Sequence, residues 1–234
     1  QKDWATAFEL QSTTPLDLRT GSGVRLDLID SVAGLALELD LTVDPDSGIL
    51  ARRATLANLD SGPVAVGTLA AGVFQVPYDA AEALVFEGQW NAEMIGQRTT
   101  LGTGLFVHEN RRGRTSHDQF PGLVIGRPGF DEDAGGVWGL HLGWSGNHRM
   151  AVERTMDGVQ QIHLGPLFLP GEIELDNGER YDTPWVFAGF AHDGLNGLTD
   201  RFHRFFRRRI ADWPGGAMRS RPVHLNTWEA VYFN

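Results

Sequence analysis

The sequence contains no cysteine, which excludes disulfides and thiolate metal sites outright. It has no N-x-S/T sequon either, and a cytoplasmic protein is the simpler reading of the two absences. No uninterrupted apolar run reaches the length a membrane helix needs, so no membrane span is expected. A charged-then-apolar leader is also missing, but the chain opens at Gln1 without an initiator Met, which makes that absence uninformative. Basic residues are outnumbered: the formal net charge is −10. That balance argues against a nucleic-acid partner, whose phosphates demand clustered Lys and Arg, and it suits a protein handling neutral ligands. The eight histidines form no H-E-x-x-H or H-x-H pair, so no metal site is expected. His141 and His163 fall within strand patterns and read as satisfied core or face residues.

What is present reads as an all-β chain. With 234 residues and 41% hydrophobic content, it suits one large domain with a substantial core. Val24, Leu26 and Leu28 alternate with Arg25 and Asp27, Ser31 to Gly34 turns the chain, and Leu35 to Val43 alternates again. That is a two-stranded unit with one buried and one wet face. Further strand candidates are Ile49 to Asn58, Val64 to Val76, Ala83 to Phe86, Gln89 to Thr99, Gly104 to Val107, Leu123 to Gly126 and Val137 to Trp144. Met150 to Arg154, Val159 to Leu164, Gly171 to Leu175 and Trp185 to Ala191 complete the series. Asp157-Gly158 and Asn177-Gly178 are dipeptides that accept positive φ in tight hairpins, and many of the 29 glycines fall in such breaks. Short strands at regular spacing predict an antiparallel sandwich or barrel, with no repeat period.

One stretch reads as a helix, near Asn196 to Asp212. Leu195, Leu198, Phe202, Phe205, Phe206, Ile210 and Trp213 follow three- and four-residue spacing, and Arg201, Arg204, Arg207 and Arg208 share the other face with Asp200. Asn196 is the expected N-cap, and Pro214-Gly-Gly216 the stop. Arg207 to Arg209 reads as a solvated or interdomain face. Asp131-Glu132-Asp133 misses the spacing of a calcium loop and reads as a surface turn. The polar loop Asn110 to Gln119, with Arg111, Arg112, Arg114 and His117, either meets a neighbouring subunit, rims a pocket, or is simply solvated.

The last stretch, Arg221 to Asn234, is RPVHLNTWEAVYFN. Its pattern predicts a buried β-strand running into a loop. A strand carrying Trp228, Tyr232 and Phe233 at a chain end would expose apolar surface, so the sequence reads as a piece of a larger protein ending just inside a further domain. Asn226-Thr-Trp-Glu-Ala-Val-Tyr-Phe233 resembles the N-N-W-E-A-T-Y-F segment that opens the catalytic barrel of glycoside hydrolase family 36 α-galactosidases. Thr227 stands where that segment has Asn, and Val231 where it has Thr. Upstream, Asp193-Gly-Leu-Asn-Gly-Leu198 with Phe202-His203 resembles the family's D-x-G-L-N-G-L-S-x-x-F-H. Asp131-Glu-Asp133, Val137-Trp-Gly139 and Trp144-Ser-Gly-Asn147 resemble its D-E-x-x-G-x-x-Y-G-x-x-L-x-Y-S-G-N run, and Gly113-Arg-Thr-Ser-His117 with Pro121 its G-x-S-S-H-x-x-x-P loop. Gly21-Ser-Gly-Val-Arg25 also fits.

The resemblance implies an antiparallel two-sheet β-supersandwich of the galactose-mutarotase-like kind over residues 1–192. A linking helix and linker would occupy 193–218, and the truncated first strand of a (β/α)8 barrel 219–234. It implies the N-terminal, non-catalytic part of a retaining α-galactosidase acting on melibiose- or raffinose-type sugars without metal or organic cofactor. Both catalytic aspartates would then lie on later barrel strands, so no residue here is assigned as catalytic and the chain by itself would be inactive. Trp228 would line the galactose pocket at the end of that first strand, an indole face packing on the C–H face of the sugar. Read without the resemblance it is an aromatic of a barrel core. The expected partners are an α-galactoside, the chain's own barrel and further copies in a homo-oligomer, with no nucleic acid and no membrane. The alternatives are a freestanding carbohydrate-binding or oligomerisation module, and a parent acting on α-N-acetylgalactosaminides.

Overall fold

A computed structural model describes residues 5–115 and 117–231. Gln1, Tyr232, Phe233 and Asn234 lie outside the described residues, as does Ser116. The described residues form sixteen strands: β1 Glu9–Leu18, β2 Gly21–Asp30, β3 Leu35–Val43, β4 Leu50–Asn58, β5 Val64–Ala65, β6 Gly72–Gln75, β7 Glu82–Gln89, β8 Ala92–Thr100, β9 Gly104–Asn110, β10 Gln119–Gly126, β11 Val137–Leu142, β12 His148–Arg154, β13 Gln160–Pro166, β14 Glu174–Leu175, β15 Arg180–Asp182 and β16 Val186–Ala191. Helix α1 follows at Gly194–Phe205, continued by a π-helical turn Phe206–Ile210, and α2 is one short turn at Thr227–Val231.

Two antiparallel sheets make the sandwich. The larger has ten strands in the order β1-β2-β3-β4-β16-β11-β10-β7-β8, with β15 also on β4; the smaller is β6-β13-β12-β9, and β14-β5 is a two-stranded ribbon beside them. The expected all-β supersandwich, with a single substantial helix among the described residues, is what forms. Alternation explains the packing: Leu140 and Leu142 of β11 point between the sheets with Leu123, Ile125, Val186, Met150, Val152, Ile162 and Leu164, all at most 3% exposed. Val137 points the other way and meets Leu198 of α1 on the outer face.

Several boundaries differ from the sequence reading. β1 is not visible as an alternating run because it is an edge strand, solvent-exposed along most of its length and carrying Pro15. The stretch Val64 to Val76 splits into β5 and β6, which belong to different sheets. Gly158 does turn a hairpin, between β12 and β13. Gly178 also has positive φ, but its neighbours β14 and β15 pair with β5 and β4 rather than with each other. That turn is fastened instead by backbone bonds to Asn58.

The β1–β3 region forms one end of the large sheet. Its outward face carries a charge network in which Asp40, only 2% exposed, accepts from Arg25 at 2.7 Å and Arg53 at 2.9 Å. The opposite face is aliphatic: Val24, Leu26 and Leu28 pair with Leu41, Leu39 and Leu37, and all six are half-buried or exposed.

Candidate functional site

Helix α1 starts where β16 ends. Its N-cap is Asp193, not Asn196. Asn196 lies in the first turn, because the chain already turns at Gly194, and its side-chain amide donates to Asp133 at 3.0 Å. Asp131-Glu132-Asp133 is an exposed turn, as read, with a structural task. The carbonyls of Asp131 and Glu132 accept the N–H groups of Leu195 and Asn196 at 2.9 and 2.8 Å, two of the donors a helix start leaves unpaired. The apolar side of α1 lies across the outer face of the large sheet, where Phe205 is fully buried and packs on Phe187 with ring centroids 5.2 Å apart. Arg208 and Arg209 do not face solvent alone. They reach Asp46 at 2.5 Å and Asp44 at 2.7 Å in the β3–β4 turn, fixing the end of the helix.

His141 lies under this helix, edge-on to Phe120 and Phe206. It is a half-buried residue of the helix–sheet interface, as a core or face histidine is, and desolvation, opposed by a backbone hydrogen bond with Leu142, lowers its pKa. His163 is a half-buried face residue, its Nε2 3.7 Å from Glu153, longer than a hydrogen bond. Sequence reading missed His148 and His108, which are 0% and 4% exposed. Desolvation drives the His148 pKa down to about 4 and also lowers that of His108. Among the described residues no group of three or more His, Cys, Asp or Glu side chains is arranged to hold a metal ion.

Trp228 is not on a strand. Residues 217–226 have no regular structure, and Thr227–Val231 forms the α2 turn. The Trp228 N–H donates to Asn226 Oδ1 at 3.0 Å, as a capping side chain does at a helix start. A strand requires a neighbouring strand to pair with. Among the described residues none lies alongside, so local bonds win and the predicted buried strand does not form. Val223 is fully exposed, Leu225 80% and Trp228 57% exposed; the described residues thus assemble no sugar pocket around Trp228.

The loop after β9, described at residues 111–115, 117 and 118, is better defined. It leaves β9 at Asn110, which pairs with His148 of β12, and His148 pairs in turn with Pro166 of β13. Register therefore brings the loop against the turn at Trp144 to Asn147. Gly113 N–H donates to Asn147 Oδ1 at 2.7 Å, Thr115 Oγ1 to the Trp144 carbonyl at 3.0 Å, and Thr115 N–H to the Ser145 carbonyl. Arg112 pairs with Asp118 at 2.6 Å and Arg111 with Glu109 at 2.8 Å. His117 Nε2 lies 3.3 Å from Asp118.

Known proteins match this chain across both parts. The family model described as "Glycosyl hydrolase family 36 N-terminal domain" matches residues 1–176, and the model described as "Melibiase" matches 180–234. An α-galactosidase of Escherichia coli is 46% identical over 215 residues, 92% of this chain and 30% of that protein. Alpha-galactosidase AgaA of Geobacillus stearothermophilus is 31% identical over 209 residues, 88% of this chain and 28% of that protein. A crystal structure of an AgaA variant in complex with raffinose superimposes with a TM-score of 0.88 at 25% identity, covering 98% of this chain and 34% of that one. The chain thus spans about a third or less of the length of the relatives it matches. With the family model covering most of its length and the fold superimposing over nearly the whole chain, the chain belongs to glycosyl hydrolase family 36, in the part that forms the N-terminal domain.

Proposed function

We propose that this chain is the non-catalytic N-terminal domain of a retaining α-galactosidase that removes terminal α-galactosyl groups from melibiose- or raffinose-type sugars. The observation that carries the reading is the pair of consecutive matches, an N-terminal-domain family followed directly by a melibiase family. We assign residues 1–192 to the sandwich, 193–218 to the linking helix and linker, and 219–234 to the start of the barrel. The exposure of 217–226 and of Trp228 supports that last boundary, since these side chains contribute nothing to the sandwich core.

In the parent, Trp228 would pack on the apolar face of the bound galactose. The sandwich would act as a scaffold: the salt bridges from Arg208 and Arg209 to the β3–β4 turn fix the direction in which the chain leaves it. Association of copies belongs to the same proposal, and the aliphatic face of β1–β3 is a surface suited to it.

Two measurements test this reading. The chain alone is expected not to hydrolyse p-nitrophenyl α-galactoside above a heat-killed control, because two carboxylates must flank a scissile bond and the barrel supplies them. In the parent enzyme, Trp228→Ala is expected to weaken galactose binding at least tenfold while the chain's own melting temperature stays unchanged. Lost melting stability with unchanged affinity would make Trp228 a structural residue and end the assignment.

A further inference from the structure

Where Asn110, His148 and Pro166 lie side by side, the connecting turns enclose a cleft of about 190 Å³ lined by Trp144, Asn147, Phe168, Glu172, Tyr181 and Gly113. Its aromatic wall is held in place. Trp144 is 41% exposed, yet its indole N–H donates to the Asn147 carbonyl at 3.1 Å. Gly146 lies so close to the ring that a Cβ there would stand 2.7 Å from the indole nitrogen.

The polar groups are anchored at one atom each. Asn147 Oδ1 accepts from Gly113, which fixes the amide plane. Glu172 Oε2 accepts from the Leu169 N–H at 2.7 Å, which fixes the carboxylate. Tyr181 packs edge-on against Phe168 at 5.1 Å. Burial and the neighbouring Glu172 charge raise its pKa, so the hydroxyl stays a donor at neutral pH.

We infer that this cleft binds one ring of a neutral saccharide, stacked on Trp144 with its hydroxyls meeting Asn147, Glu172 and Tyr181. A fixed indole face beside an amide, a carboxylate and a phenol is the chemistry a pyranose requires, one apolar C–H face and a rim of hydroxyls. The carboxylate disfavours an anion, and Arg111 and Arg112 of the adjoining loop and Arg149 of β12 are held by Glu109 and Asp118. Size sets the limit: drug-sized ligands take roughly 300 Å³ or more, so about 190 Å³ admits a single ring. The site is independent of Trp228 and of any barrel, so its failure leaves the preceding reading untouched, and the reverse.

The test is an NMR titration of this chain with methyl α-galactoside and, separately, with sucrose, following backbone amides and the Trp144 indole N–H. Saturable shifts centred on Trp144 and Asn147 at millimolar sugar are expected with one or both probes. Trp144→Ala should weaken binding at least tenfold, and Glu172→Gln, which keeps the acceptor for Leu169, severalfold. Absence of saturable shifts with both sugars would overturn the site, as would affinity unchanged in a folded Trp144→Ala variant. If Trp144→Ala melts markedly lower, Glu172→Gln decides: unchanged affinity there overturns the assignment as well.

Discussion

Gly194 shows how one residue can set a junction. Its φ of +79° lies in the left-handed region, and a Cβ would stand 2.6 Å from the Ala134 nitrogen and 2.7 Å from the Asp131 carbonyl oxygen. Gly194→Ala therefore combines an unfavourable backbone conformation with a clash against backbone that cannot move aside. We expect it to cost about 2–3 kcal/mol, read as a lower melting temperature, whereas Gly158→Ala, with open space around it, should cost less. The sequence made Asp131-Glu132-Asp133 legible as a turn but not as the acceptor of the helix start, because that role depends on residues more than sixty positions later. Buried His148 escaped for the same reason. A histidine at a turn-to-strand junction carries no local sign that three strands will converge over it.

Among the elements, α1 was legible and the final strand was not. The spacing of Leu198, Phe202 and Phe205 is a property of the helix itself, and burial followed it. Phe205 is fully buried among Phe187, Phe202 and Phe206. Phe205→Ala should then cost about 3–5 kcal/mol in chemical unfolding, and much less if the helix docks only loosely. The alternation in Arg221 to Asn234 is equally clear, but a strand is a property of a pair, and pattern alone cannot supply the partner. The same dependence hid β1 and β15, whose pairing on β2 and β4 owes little to apolar alternation.

For the whole molecule, acid should act through its buried histidines before its carboxylates. Burial holds His148 near pKa 4, against roughly 6.5 in an unfolded chain. The native state favours the neutral ring, so its contribution is fully present above about pH 6.5 and is lost as pH falls towards 4, at about 1.4 kcal/mol per pH unit. The loss from this ring is on the order of 3 kcal/mol, and His108 and His141 add to it with the same sign. Asp40 acts later. Burial opposes its charge, but bonds from Arg25 and Arg53 outweigh that and lower its pKa, so its contribution declines only below about pH 4. Melting temperatures should fall between pH 6.5 and 4, and His148→Leu should flatten that fall; an unchanged slope would remove His148 as its source. The strand order has a consequence in time as well. β4 is completed on one side by β3, its immediate predecessor, but on the other by β15 and β16, so Ala54 waits for Thr183, 129 residues later. At roughly 5–20 residues per second, a nascent chain holds that edge of β4 unpaired for on the order of 10 s. During synthesis this open edge is the place where a chaperone, or a neighbouring nascent chain, can attach.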